Sequence, residues 1–159
     1  MMSTRSGDLD PGVMIYLLRE MRLSPSAVSD LVNHHAGLLG VSGISPDLRD
    51  LLGRSAKQSR ASEAIDLFCY EAKKCLAALA AVLGGVDTLI FTAGIGENSP
   101  AIRQGICERL EFLGIHLDRA RNDRNAAIIS RPAGPVTVRV MKTNEELMIA
   151  RHTHQLMSN

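Results

Sequence analysis

The stretch from about Ser59 to Leu83 constrains this chain more than any other. Ala64, Phe68, Ala72, Cys75, Leu79 and Val82 recur at three- and four-residue steps. That spacing puts them on one face of a long amphipathic helix. Gly84-Gly85 ends it, because glycine supplies the left-handed backbone that closes helices. Val86 to Thr92 (VDTLIFT) follows at once, a short, apolar and partly β-branched run that reads as a buried strand. A long helix feeding a buried strand predicts alternating α/β architecture.

The flanking segments extend that pattern. Gly94 to Asn98 reads as a tight loop, and Ser99-Pro100 opens a helix to about Leu113 with Ile102, Ile106, Leu110 and Leu113 inward. Gly114 to Asp118 and Ala126 to Ser130 are short strand candidates. Pro135 to Met141 alternates apolar and polar residues and reads as a strand, and Thr143 is the expected N-cap of a final helix. Ahead of the long helix, Met1 to Pro11 is irregular. A helix runs from Gly12 through Met21, and Ser24-Pro25 starts another that carries Val28, Leu31 and Val32. Gly37, Gly40 and Gly43 predict a loop, and Pro46 to Leu52 a helical turn or two. Strand, helix, strand and helix in succession argue for a parallel sheet. Two or three strands make that sheet thin, so the expectation is the later half of a larger domain.

Charge and cysteine usage narrow the function classes. The chain has 18 basic and 17 acidic residues, with no basic excess to hold a nucleic-acid backbone. Apolar residues make up 45% and aromatics 3%, so Ala, Leu, Ile, Val and Met must build the core. Cys69, Cys75 and Cys107 offer neither a zinc spacing nor an even disulfide framework, and read as reduced cytosolic thiols. Cys75 to Gly85 is the most apolar stretch and is too short to cross a bilayer, and Met1 to Asp10 has no apolar signal core. These features predict a soluble, cytoplasmic protein without nucleic-acid or membrane partners.

Three segments carry chemistry. In Ile90 to Pro100 (IFTAGIGENSP) a strand runs through Gly94-x-Gly96 into a helix start, where bare backbone N–H groups suit a phosphate or nucleotide. A plain strand-to-helix turn explains the same residues. It is no Rossmann fingerprint, since Ser99 stands where a third Gly or Ala belongs, and no P-loop, since it lacks the Lys. Arg5, in Thr4-Arg5-Ser6-Gly7-Asp8, can offer a planar fork to a phosphoryl or carboxylate group, or can pair with Asp8 or Asp10 at the surface. Thr143-Asn144-Glu145-Glu146 puts a carboxylate where Mg²⁺ could bridge nucleotide phosphates. Acidic residues in a helix's first turn also serve the helix dipole alone.

Taken together, four stretches resemble the acetate kinase family, which includes propionate and butyrate kinases. They are TRSGDLDPG (Thr4 to Gly12), AGLLGVSGISPDLRDL (Ala36 to Leu51), VDTLIFTAGIGENSPAIR (Val86 to Arg103) and TNEELMIAR (Thr143 to Arg151), in the family's order. The resemblance implies a partial actin-like ATPase (ribonuclease H-like) fold, helix-rich with a small, mainly parallel sheet. It implies phosphoryl transfer from ATP to a short-chain carboxylate, with Mg²⁺ (or Mn²⁺) required, and a homodimer. By resemblance, Arg5 lies at the phosphoryl-transfer site. Asp47, Leu48 and Arg49 contribute to nucleotide binding, Gly94, Ile95, Gly96, Glu97 and Asn98 line the adenosine end, and Glu145 helps bind Mg²⁺. Ser3 departs from the family's usual Gly before the Thr-Arg-Ser-Gly-Asp segment. The resemblance also implies that residues 1–159 correspond to the C-terminal portion of the family's second domain. The expectation is therefore the nucleotide half of a site, inactive or nearly so alone, because the first domain, the His-Leu-Gly-Asn-Gly phosphate loop and the acyl pocket have no counterpart.

Overall fold

Proline-led helix starts organise the first part of the chain. In the computed structural model, which describes residues 1–158, α1 spans Pro11–Arg19 and α2 spans Pro25–His34. Asp10 and Ser24 cap them, accepting from Gly12 N at 2.6 Å and Ala27 N at 3.2 Å. Proline costs nothing in the first helical turn, where its missing N–H would have had no partner. The helices α3 (Gly37–Ser42), α4 (Leu48–Arg54) and α5 (Ser59–Leu83) follow, and α3 and α4 both pack on α5. Within α5 the span agrees with its sequence pattern at both ends.

Two expectations in this region need correction. The glycine-rich stretch at 37–43 is a helix, closed by Gly43 in the left-handed conformation with its N–H on Leu39 O at 2.7 Å. Its glycines serve the helix's entry and exit rather than breaking it. The inward face of α5 also differs. Its buried residues are Ala61, Ala64, Cys69 and Ala80, whereas Leu79 is 63% and Val82 85% exposed. Small side chains let helix axes approach closely, so the contacting face follows the alanines rather than the bulkiest residues.

The chain forms two compact units, Met1–Leu83 and Gly84–Asn159. The second contains β1 (Thr88–Phe91), α6 (Ala93–Asn98), α7 (Pro100–Cys107), α8 (Arg119–Asp123), β2 (Thr137–Val140) and α9 (Glu145–Met157). β1 and β2 pair in parallel, Thr88 opposite Thr137 through Phe91 opposite Val140. The two strand candidates between them form only isolated antiparallel bridges, Leu117 to Ser130 and Ile128 to Arg139. Those bridges still extend the ladder beyond β2, with Ile129 N on Val138 O at 2.8 Å. Ile102, Leu110, Ile115, Ile129, Val136 and Val138 form the core beneath. The helix expected to reach Leu113 stops at Cys107. Arg109 takes a left-handed backbone, and a 3₁₀ turn covers Glu111–Leu113.

Also shifted is the final cap. Asn144, not Thr143, caps α9, accepting from Leu147 N at 2.9 Å. No helix among the described residues is long and apolar enough to cross a membrane.

The assignment of the α5 surface is checked by two substitutions. Leu51→Ala, at a fully buried site on α4, should destabilise the chain by about 2–5 kcal/mol. Val82→Ser should change stability by no more than about 0.5 kcal/mol, both read by urea denaturation.

Candidate functional site

The loop that carries Arg5 is held by backbone rather than by side chains. Leu38 N and Leu39 N donate to Met2 O and Ser3 O at 2.9 and 3.0 Å, Ala36 N to Thr4 O at 2.8 Å, and Ser6 N to Val32 O at 2.9 Å. Thr4 Oγ1 adds a bond to Asn33 O at 3.1 Å. This close approach needs Gly37, which has φ +60°. A Cβ there would collide with Met2 O and stand 2.9 Å from Arg5 O. Arg5 itself is exposed. Neither Asp8 nor Asp10 forms an ion pair with it among the described residues; Asp10 caps α1 instead. A cavity of about 500 Å³ opens beside the loop, lined in part by Ser6, Gly7, Asp8, Gly37, Lys74 and Cys75. That volume is in the range of small-molecule sites.

Serine hydroxyls set the next segment. Buried Ser42 Oγ accepts from Ile44 N at 3.1 Å and Ser45 N at 3.2 Å, and Ser45 Oγ accepts from Asp47 N at 3.2 Å. Asp47 caps α4 through Arg49 N at 2.8 Å, and the Arg49 guanidinium returns to Asp47 Oδ2 at 2.7 Å. The Arg49 side chain and its backbone N–H together hold the Asp47 carboxyl below the usual aspartate range, while Asp47 raises Arg49. Leu48 is buried, so only its backbone could face a ligand.

In the second unit, β1 runs directly into α6, where the sequence predicted a loop. The segment Gly94 to Asn98 is a short helical turn entered through Ala93, whose φ is +60°. Gly96 packs on the strand end, where an added Cβ would lie 3.3 Å from Phe91 C, while nothing covers Gly94 within 4 Å. Asn98 Nδ2 closes back on Gly94 O at 2.8 Å.

Behind this turn lies Arg103, fully buried, a residue to which the sequence reading gave no role. Its Nη1 donates to Gly96 O at 2.8 Å and Glu97 O at 3.0 Å. Its Nη2 donates to Asn122 O at 2.9 Å and Asn125 Oδ1 at 2.6 Å, and Nε to Asn122 Oδ1 at 2.8 Å. Asn122 Nδ2 completes the network on Pro100 O at 2.9 Å. Burial lowers the guanidinium's pKa, yet arginine stays charged at any physiological pH. The signal was present in the sequence: Arg103 falls on the same face of α7 as Ile102, Ile106 and Cys107, where a solvated charge has no place.

Glu97 Oε1 accepts from Thr143 N at 2.8 Å and Thr143 Oγ1 at 3.0 Å. The Thr143 N–H is the main cause of a Glu97 pKa below the usual glutamate range. The contact joins two of the segments singled out in the sequence, and Glu145 lies two residues beyond Thr143. Glu145 is exposed at the start of α9, with no ion pair among the described residues. Those residues contain no group of three or more His, Cys, Asp or Glu that could hold a metal by itself. A single free carboxylate does fit Mg²⁺, which is bound mostly by water and substrate phosphates. Arg5, Asp47, Leu48 and Arg49 belong to the first unit, and Gly94 to Asn98 and Glu145 to the second.

A profile of the acetokinase family matches residues 1–151. The chain belongs to the acetokinase family. An acetate kinase of Coprothermobacter proteolyticus is 50% identical over 98% of this chain and 40% of its own length. One from Heliobacterium modesticaldum is 47% identical over the same shares. Among solved structures, Porphyromonas gingivalis acetate kinase superposes with TM-score 0.89 at 42% identity, over 99% of this chain and 40% of that one. A propionate kinase from Francisella tularensis gives 0.86 at 35% identity, over 94% and 38%. The chain thus spans about 40% of the length of the relatives it matches. Its helix-rich, two-stranded parallel arrangement is part of the actin-like ATPase fold of acetokinases.

Two outcomes test the local geometry. Arg103→Lys cannot reproduce the fork, and two acceptors left unpaired at about 1–3 kcal/mol each should lower stability by roughly 2–6 kcal/mol in denaturant unfolding. Arg49→Met should raise the Asp47 carboxyl toward its ordinary range in a ¹³C NMR titration. With its folded pKa depressed, Asp47 contributes stability that is present above its unfolded pKa and lost as pH falls through the folded value.

Proposed function

We propose that this chain supplies the nucleotide-binding part of a carboxylate kinase, catalysing ATP + acetate to ADP + acetyl phosphate. The observation that carries the reading is the Gly94 to Asn98 turn: uncovered at Gly94, packed on β1 at Gly96, and fixed from behind by Arg103. Such a turn offers a rigid backbone surface for the flat base and ribose of a nucleotide. In the reaction, a carboxylate oxygen attacks the γ-phosphorus while the bond from that phosphorus to the β–γ bridging oxygen breaks, releasing ADP. Such transfer depends mostly on positioning and charge neutralisation.

Within this reading, Gly94, Ile95, Gly96 and Asn98 face the adenosine. Asp47, Leu48 and Arg49 contribute to nucleotide binding, and Arg5 offers its fork to the transferred phosphoryl group. Glu145 would help hold Mg²⁺, or Mn²⁺ in its place, which would neutralise phosphate charge. The acceptor is a short-chain carboxylate, and both acetate and propionate fit the relatives' names. The chain length is chosen by a pocket that we assign to the remainder of a two-domain kinase. This chain would be the C-terminal portion of its second domain, with little turnover alone, in a cytoplasmic homodimer without nucleic-acid or membrane partners. Exposed Val82 and Leu83 at the end of α5 favour some such covering partner.

Calorimetric titration of the chain with ADP should give saturable binding that tightens with Mg²⁺. Arg5→Ala should leave ADP binding within about twofold, since the γ-phosphoryl site is empty in that complex. Absence of any heat with ADP or ATP, with or without Mg²⁺, overturns the reading.

A further inference from the structure

Family resemblance counts Glu97 among the residues that line the nucleotide, but its carboxylate is otherwise engaged. One oxygen accepts two hydrogen bonds from a single residue forty-six positions away, from Thr143 N at 2.8 Å and Thr143 Oγ1 at 3.0 Å. We propose that Glu97 is a positioning residue: by clamping Thr143 it fixes where the Glu145 carboxylate stands relative to the Gly94 to Gly96 turn. It thereby sets how a nucleotide-bound divalent cation is met. The inference rests on the nucleotide reading above and sharpens it.

Both ends of the clamp are anchored. On one side, the carbonyls of Gly96 and Glu97 are held by the buried Arg103 guanidinium, so the Glu97 backbone has little freedom to drift. On the other, β2 ends with Met141 N on Phe91 O at 2.9 Å, and the chain leaves the sheet through Lys142 into Thr143. Asn144 then caps α9 through Leu147 N, and Glu145 is the first residue of that helix. Only one residue separates the clamped Thr143 from Glu145. A short path with a capped helix at its far end leaves few soft torsions between the clamp and the carboxylate.

The chemistry also argues against direct contact with phosphate. A carboxylate facing a nucleotide's phosphates would repel them, whereas one facing an N–H and an O–H is satisfied. The Thr143 donors hold the Glu97 carboxyl below the usual glutamate range, favouring the ionised form in which both bonds are charge-assisted. Glu97 and Glu145 therefore divide the work: one carboxylate orders the segment, and the other is left free at its tip.

The test uses the whole chain and the variants Glu97→Ala, Glu97→Gln, Thr143→Val and the double variant Glu97→Ala/Thr143→Val. Amide exchange at Thr143, followed by NMR, reads the clamp directly. Titration with ADP, without and with Mg²⁺, reads its consequence. Expected for Glu97→Ala are Thr143 exchange faster by about tenfold or more, metal-free ADP affinity within about twofold, and loss of most of the Mg²⁺-induced tightening. Thr143→Val should reproduce part of this loss, and the double variant should be no worse than Glu97→Ala alone. Glu97→Gln, which still accepts both bonds, should retain most of the tightening.

Unchanged Thr143 exchange in Glu97→Ala overturns the proposal. So does a roughly tenfold loss of metal-free ADP affinity, which would make Glu97 a direct ligand. Full Mg²⁺ tightening in Glu97→Ala despite faster exchange overturns it as well, leaving only a structural link. A wild-type chain that takes up no ADP defeats the nucleotide reading instead, and the exchange measurement then decides by itself whether Glu97 holds the Thr143 to Glu145 segment.

Discussion

A buried guanidinium whose hydrogen-bond acceptors are all neutral organises the turn at the centre of the second unit. Asp123 is near enough to act on it only through its charge. Removing a charge from water is expensive, and Arg103 has no carboxylate among its hydrogen-bond partners to offset the loss. The balance is met by geometry. Five bonds run from the fork to carbonyls of α6 and α8 and to two asparagine side chains. Any shift of one acceptor leaves part of a charge unsolvated, so the network tolerates little distortion. That intolerance is what lets a six-residue helical turn, too short to be stable by itself, present a fixed surface.

The first unit orders its loops by other means. Backbone groups of Met2 to Ser6 pair with the ends of α2 and the start of α3, and three short side chains (Ser42, Ser45, Asp47) relay the chain into α4. The ion pairs here, Asp47 with Arg49 and Asp50 with Arg54, are solvent-exposed. Exposed pairs add little stability, so their role is to aim side chains. An Arg49 turned back onto Asp47 is poised rather than committed, and a phosphate could compete for it at modest cost.

Much of the fold was legible because it is local. The long helix matched at both ends, since its periodicity and the Gly84-Gly85 stop both act within one element. Proline-led starts at Pro25 and Pro100 held for the same reason, and the two strands formed where expected, although β1, read as a buried strand, has no buried residue and leaves Ile90 50% exposed. What failed was non-local. Gly37 looked like a breaker because its reason for being there, the overlying segment of Met2 and Arg5 some thirty residues earlier, is invisible along the chain. The inward face of α5 was misjudged because periodicity ranks residues by bulk, while close helix contact selects for smallness. Thr143 does not cap α9: Asn144 Oδ1 accepts from Leu147 N, while Thr143 turns its N–H and hydroxyl to Glu97, forty-six residues away. Arg103 closes one of the stretches that carry the family resemblance, yet its role went unread because its partners lie up to twenty-two residues distant.

The absence of one methyl group at Gly37 has a reach well beyond its own helix. The oxygen atoms of Met2 and Arg5 occupy the space that an alanine side chain would need. The shape of the loop that carries Arg5 is therefore encoded by a residue with no functional group of its own. A substitution there would read, in any activity screen, as damage to the arginine itself.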